Sequence, residues 1–145
     1  MFVTKSFKAA AAALMITATA APALAGHNRI WVEQYGWNNQ IGGGQTGSGQ
    51  RLTVIQDGAS NISINTQDGA RNEAAVGQVG FNNGADTNQV GARNSVGIAQ
   101  IGARNNAAVG QYGWNNAAAV VQNGTGASAS VMQSGSNNSV AIVQD

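Results

Sequence analysis

From Glu33 to the end of the chain, apolar residues alternate with polar or small ones, and the alternation restarts every eleven positions. The apolar pairs Val96/Ile98, Ala107/Val109, Ala118/Val120 and Val140/Ile142 are each split by one residue. Side chains two apart share one face of a strand, so this period predicts short strands with one face turned inward. Each alternating run is preceded by Asn and ends on Gln, as in Asn94-Ser95-Val96-Gly97-Ile98-Ala99-Gln100, which puts both amides on the apolar face.

The restart is a repeat without insertion or deletion. Gln recurs at Gln34, Gln45, Gln56, Gln67, Gln78, Gln89, Gln100, Gln111, Gln122, Gln133 and Gln144. Two residues after each of the first ten comes glycine: Gly36, Gly47, Gly58, Gly69, Gly80, Gly91, Gly102, Gly113, Gly124 and Gly135. Five after it comes Asn in eight of ten copies, at Asn39, Asn61, Asn72, Asn83, Asn94, Asn105, Asn116 and Asn138, with Gln50 and Ala127 as the exceptions. The segment x-Gly-x-x reads as the turn, because glycine accepts positive φ and its neighbours are often Asn, Ser, Asp or Arg. An eleven-residue period also suits a right-handed helical coiled coil. A glycine in every copy costs a helix about 1 kcal/mol each, so strand and turn win.

Two strands and two turns bring the chain back to its start after about 22 residues, which predicts an all-β, flattened β-solenoid of five coils with two facing sheets. Asn72–Gln78 then lies beside Asn94–Gln100, about 4.8 Å away. Like positions stack, so the Gln and Asn amides form ladders along the axis and satisfy one another inside a thin core of Ala and Val. One signal favours a three-sided coil of 33 residues, since Gln67–Gln78 recurs closely as Gln100–Gln111. A single duplication accounts for that match as well, and two strands per coil is the reading kept, partly on the family resemblance given below and partly on the general logic of stacked repeats.

Composition narrows the function. Residues 1–25 carry Lys5 and Lys8, an apolar run and Ala23-Leu24-Ala25, the layout of a secretory signal peptide with cleavage expected after Ala25. The remainder has five Arg, no Lys and six acids, which is neither a nucleic-acid binder nor an acidic tail. One Leu, no Cys and no Pro remain after residue 25, which excludes a helical bundle and disulfide stabilisation. His27 is the sole histidine and has no neighbours of metal-ligand type, Gly42-Gly43-Gly44 lacks the Lys-Ser/Thr of a phosphate loop and reads as a degenerate strand, and no nucleophile sits beside a base. No enzyme activity, cofactor or metal site is expected.

The unit Gln-x-Gly-x-x-Asn-x-Ala-x-x-x-Gln, seen in Gln100–Gln111 and Gln111–Gln122, resembles the curlin repeat, over residues 34–144. The resemblance implies a secreted subunit that assembles at the bacterial surface into pilus-like curli amyloid fibres, used in adhesion and biofilm matrix. It also implies a nucleator subunit and outer-membrane secretion machinery as partners. The chain departs from curlin major subunits in having only Gly26–Glu33 between leader and repeats, and in copies of uniform length. The domain reading is thus a signal peptide over 1–25, a short segment over 26–33 and a repeat region over 34–145.

Solitary solenoids end in polar caps, whereas this ladder is expected to run from Gln34 to Gln144 uncapped, and open strand edges template further chains. The amides expected to bridge subunits are Gln34, Asn39, Gln133, Asn138 and Gln144, with the Gln45/Gln50 copy set aside as degenerate. Asp57, Asp68 and Asp86 are candidate gatekeepers against premature assembly. Arg71, Arg93 and Arg104, with Trp37, Phe81 and Trp114, are candidates for an Arg/aromatic edge facing polysaccharide, the alternative being plain solvated turns. Other readings of the whole chain are a monomeric glycan- or ice-binding solenoid, a nucleator rather than bulk subunit, and a disordered Asn/Gln/Gly linker.

Overall fold

A computed structural model describes residues 26–145. The expected signal peptide, residues 1–25, lies outside the described residues. Eleven strands follow one another: β1 (Arg29–Trp37), β2 (Gln40–Ser48), β3 (Arg51–Ala59), β4 (Ile62–Ala70), β5 (Glu73–Phe81), β6 (Gly84–Ala92), β7 (Ser95–Ala103), β8 (Asn106–Trp114), β9 (Ala117–Thr125), β10 (Ser128–Ser136) and β11 (Ser139–Gln144). The odd-numbered strands form one six-stranded parallel sheet and the even-numbered strands a five-stranded one. Every pairing joins residue i to residue i+22, so Asn72–Gln78 does run beside Asn94–Gln100 and each coil has two strands, not three.

The core lies between the sheets and is one side chain deep on each side. Leu52, Val54, Ala74, Val76, Val96, Ile98, Ala118 and Val120 face Ala85, Ala107, Val109, Ala129 and Val131. Because rungs are identical in length, a residue of any size stacks on its counterpart one coil away, and small side chains let the two sheets approach.

Two details differ from the sequence reading. The repeat glycines do not lie in a turn beyond the strand: Gly80, for example, is paired with Gly102 inside the ladder of β5 and β7. The chain instead bends twice. The glycine takes a φ between 97° and 121°, and the residue two later takes the left-handed conformation, at Asn38, Ser60, Arg71, Asn82, Arg93, Arg104, Asn115 and Asn137, with φ between 56° and 60°. Only the corner residue and the repeat Asn stand outside the strands, so the turn is shorter than four residues. A Cβ on Gly80 would stand 2.0 Å from the Gly102 carbonyl oxygen, so the close approach of successive rungs, as well as φ, demands glycine there.

The second difference is where the solenoid starts. Residues Arg29–Glu33 belong to β1 and pair in register with Arg51–Ile55. The segment read as preceding the repeats is therefore most of an additional copy, and its Ile30 and Val32 occupy the same rows as Leu52 and Val54. A sequence reading keyed on Gln misses this copy because its own ladder Gln position falls at Ala23, within the expected leader. Gly42-Gly43-Gly44 sits in β2, a full nine-residue strand.

Candidate functional site

The repeat amides are the chemistry-bearing groups of this fold, and the two kinds act differently. Gln side chains build two ladders. In the first sheet Gln34 donates through Nε2 to Gln56 Oε1, and the pattern continues through Gln78, Gln100 and Gln122 to Gln144, at 2.7–2.9 Å. In the second sheet it runs from Gln45 through Gln67, Gln89 and Gln111 to Gln133. The other Nε2 hydrogen crosses the core to a strand-start carbonyl of the opposite sheet, as Gln78 does to Ile62 O at 3.0 Å and Gln89 to Glu73 O at 2.9 Å. One amide thus joins neighbouring coils and also ties sheet to sheet. Gln56, Gln67, Gln78, Gln89, Gln100, Gln111 and Gln122 are fully buried yet paired, which removes the penalty of placing amides in a core.

Asn is shorter and works at the corners. Its Nδ2 donates back to the carbonyl four residues earlier and to the repeat glycine one coil on: Asn72 reaches Asp68 O at 3.0 Å and Gly91 O at 3.1 Å. Its Oδ1 accepts the backbone N–H of the Asn above, as Asn72 does from Asn94 at 3.1 Å. The expected Asn-to-Asn ladder is therefore a side chain-to-backbone ladder through Asn39, Asn61, Asn83 and Asn105 on one side and Asn72, Asn94, Asn116 and Asn138 on the other. Amide-to-amide contacts add to it only at Asn116 and Asn138. The physical reason is reach: an Asn side chain beside a bend meets main-chain groups that the bend has left unpaired.

Several participants escape the sequence reading. Asn28 begins the corner column, accepting the Gln50 N–H at 3.0 Å and donating to Gly47 O at 3.0 Å. Its place eleven residues before Asn39 is the signal that marks it. Gln50 fills the Asn role with Nε2, donating to Thr46 O and Gly69 O. Its extra methylene leaves Oε1 buried and without a partner among the described residues. Ser63, Asn65 and Thr87 replace aliphatic residues in the core and satisfy each other, Asn65 donating to Ser63 Oγ and Thr87 to Asn65 Oδ1, both at 2.8 Å.

Among the described residues nothing covers the ends of the stack. Ile30 and Val140, at the two termini of one inward row, are 48% and 37% exposed, while Leu52 and Val96 in the same row are 4% and 2% exposed. Gln45, in the copy that reads as degenerate, starts the second ladder by donating to Gln67, and its own Oε1 is buried with no donor among the described residues.

The arginines do not share one edge. Arg71 and Arg93 stand at corners that close even-numbered strands, with the Arg93 guanidinium 5.7 Å from the Trp114 ring, while Arg104 follows an odd-numbered strand, on the side of Trp37 and Phe81. Asp57, Asp68 and Asp86 all point outward to solvent. Arg51 and Glu73 stack one coil apart at 3.4 Å, an exposed pair worth about 0–1 kcal/mol. Among the described residues no three His, Cys, Asp or Glu side chains gather as a metal site.

Fold and site together define, over the described residues, a parallel, two-sheet β-solenoid held by internal amide ladders. The model of the curlin associated repeat matches residues 80–113 and 91–124, and the matched segments fall in register with the Gln and Asn columns. The match to the curlin associated repeat thus spans residues 80–124, from the end of β5 to β9. No curated protein matches the chain.

Proposed function

We propose that the protein is a secreted structural subunit that polymerises end to end into curli-type amyloid fibres on the bacterial surface, supporting adhesion and biofilm matrix. The observation that carries this reading is the pair of open ends: the Gln ladders reach the terminal coils, where the inward residues Ile30 and Val140 stand exposed. A second copy placed in register satisfies the edge backbone of β1, β2, β10 and β11 and covers the exposed ends of the core. The curlin repeats point the same way, and by that resemblance a nucleator subunit and a secretion pore are its partners. A monomeric ice or glycan binder needs one outward row of like residues. The outward row Trp31, Thr53, Ala75, Gly97, Ala119 and Ala141 is mixed.

The test is to incubate the chain from Gly26 to Asp145 at micromolar concentration. Thioflavin-positive fibres with meridional diffraction near 4.8 Å and an equatorial spacing near 10 Å are expected. A chain that stays folded, soluble and monomeric refutes the proposal.

A further inference from the structure

Among the described residues the strand count is odd, with six strands in one sheet and five in the other, and for a subunit made of these strands parity decides how copies can join. At one end the free edges are β11 in the first sheet and β10 in the second; at the other they are β1 and β2. We infer that successive copies of this chain are related by a half-turn about the fibre axis, so that β1 of the incoming copy pairs with β10 and its β2 pairs with β11. The half-turn rests on the fibre reading and supplies its symmetry.

Without the half-turn, β1 would pair with β11 and each sheet would continue into its own kind. The second sheet would then lack a strand between β10 and the incoming β2, a gap of about 9.6 Å at two strand spacings. Both edges would stay unpaired in the middle of a fibre, and Gln45 Oε1 would remain without a donor. With the half-turn no position is vacant. The repeat permits it because Gln, Gly and Asn recur every eleven residues and not only every 22, so either sheet accepts either kind of strand.

The hydrogen bonds set the polarity. Gln133 and Gln144 each send one Nε2 hydrogen across the core, to Ala117 O and Ser128 O. The second is left to run along the ladder, in the direction in which Gln111 donates to Gln133. The other end offers acceptors, among them the unpartnered Gln45 Oε1. Gln133 then donates to Gln34 and Gln144 to Gln45 of the next copy, head to tail.

The chain ends fit the same register. Gly26 O accepts the Gly49 N–H at 2.8 Å and His27 has a φ of 70°, so residues 26–28 already form a corner of the repeat. With the expected leader removed, that corner continues from Asp145 of the preceding copy with one frame position between them. Asn28, already donating to Gly47 O, meets Asp145 where Asn72 meets Asp68.

Engineered cysteines distinguish the two arrangements, since the chain has no cysteine of its own. The half-turn brings Met132 of one copy beside Glu33 of the next, both at outward positions on adjacent strands and within disulfide reach. Direct stacking brings Val143 beside Glu33 instead. Fibres of the Glu33→Cys/Met132→Cys chain, oxidised after assembly, are expected to run as a ladder of covalent multimers on denaturing gels. Fibres of Glu33→Cys/Val143→Cys are expected to stay monomeric. Fibres in which the second pair links, or neither does, overturn the half-turn and leave the fibre reading standing. Failure of the unsubstituted chain to form fibres removes both. Helical reconstruction gives an independent measure: about 26 Å of rise per subunit with the half-turn, against about 29 Å without it.

Discussion

Replacing Gln78 by Ala in the middle of the stack isolates what one ladder amide contributes. The substitution removes the bond that Gln78 accepts from Gln56 at 2.7 Å, the bond it donates to Gln100 at 2.9 Å and the cross-core bond to Ile62 O. It leaves one hydrogen of Gln56 and the Gln100 Oε1 buried without ladder partners. Each orphaned buried group costs about 1–3 kcal/mol, so the pair amounts to about 2–6 kcal/mol per subunit. The assay is dissolution of preformed fibres at a fixed guanidinium concentration where the released chain is unfolded, reading soluble chain after sedimentation. Even the low end of that range raises the soluble concentration about thirtyfold, at tenfold per 1.4 kcal/mol. Gln78→Leu keeps the volume but not the hydrogen bonds and should fare no better than Ala. Val79→Ala, on the exposed face of the same strand, should change little. If Gln78→Leu fibres dissolve like the parent, the column is held by packing and not by hydrogen bonds, and the amide ladder loses its role in cohesion.

Other expected outcomes come from single positions. Gln50→Asn restores the length of the corner amide and aims its Oδ1 at the Asn72 backbone, so it should stabilise fibres by about 1 kcal/mol in the same dissolution assay; an unchanged midpoint would show that Gln50 already satisfies its corner. Gly91→Ala puts a Cβ 2.0 Å from the Gly113 carbonyl oxygen at a φ of 121°, whereas a Cβ at Gly97 meets nothing within 4 Å. Gly91→Ala should cost at least about 2 kcal/mol while Gly97→Ala stays within about 0.5 kcal/mol, and equal behaviour would contradict the close approach of the rungs. Thr87→Val strands the Asn65 oxygen and should cost about 1–3 kcal/mol, whereas Ser63→Ala/Asn65→Val/Thr87→Val together should be neutral or stabilising, because Val109 and Val131 continue the Asn65/Thr87 row. A triple variant worse than the single one would mean that this polar cluster sets the fold.

Much of this protein is legible in one dimension because a solenoid repeats its own environment. A period of two within a period of eleven implies strands, an inward face and stacked like residues, so the all-β class and the columns Gln34–Gln144 follow from spacing alone, whereas the 22-residue coil, chosen over one of 33 partly on the curlin resemblance, is fixed by the pairing of residue i with i+22. Spacing says which residues stack, not what each amide bonds to. Asn and Gln differ by one methylene, and only the three-dimensional corner shows that Asn serves bent main chain while Gln spans the core. The same holds for the copy hidden in Arg29–Glu33, whose strand is recognised by its pairing with β3 rather than by its own Gln. It holds too for Gln50, where a side chain of the wrong length does most of the work of Asn. The count of strands in each sheet, and with it the relation between one copy and the next, exists only once the chain is wound, because which sheet a strand joins depends on every turn before it.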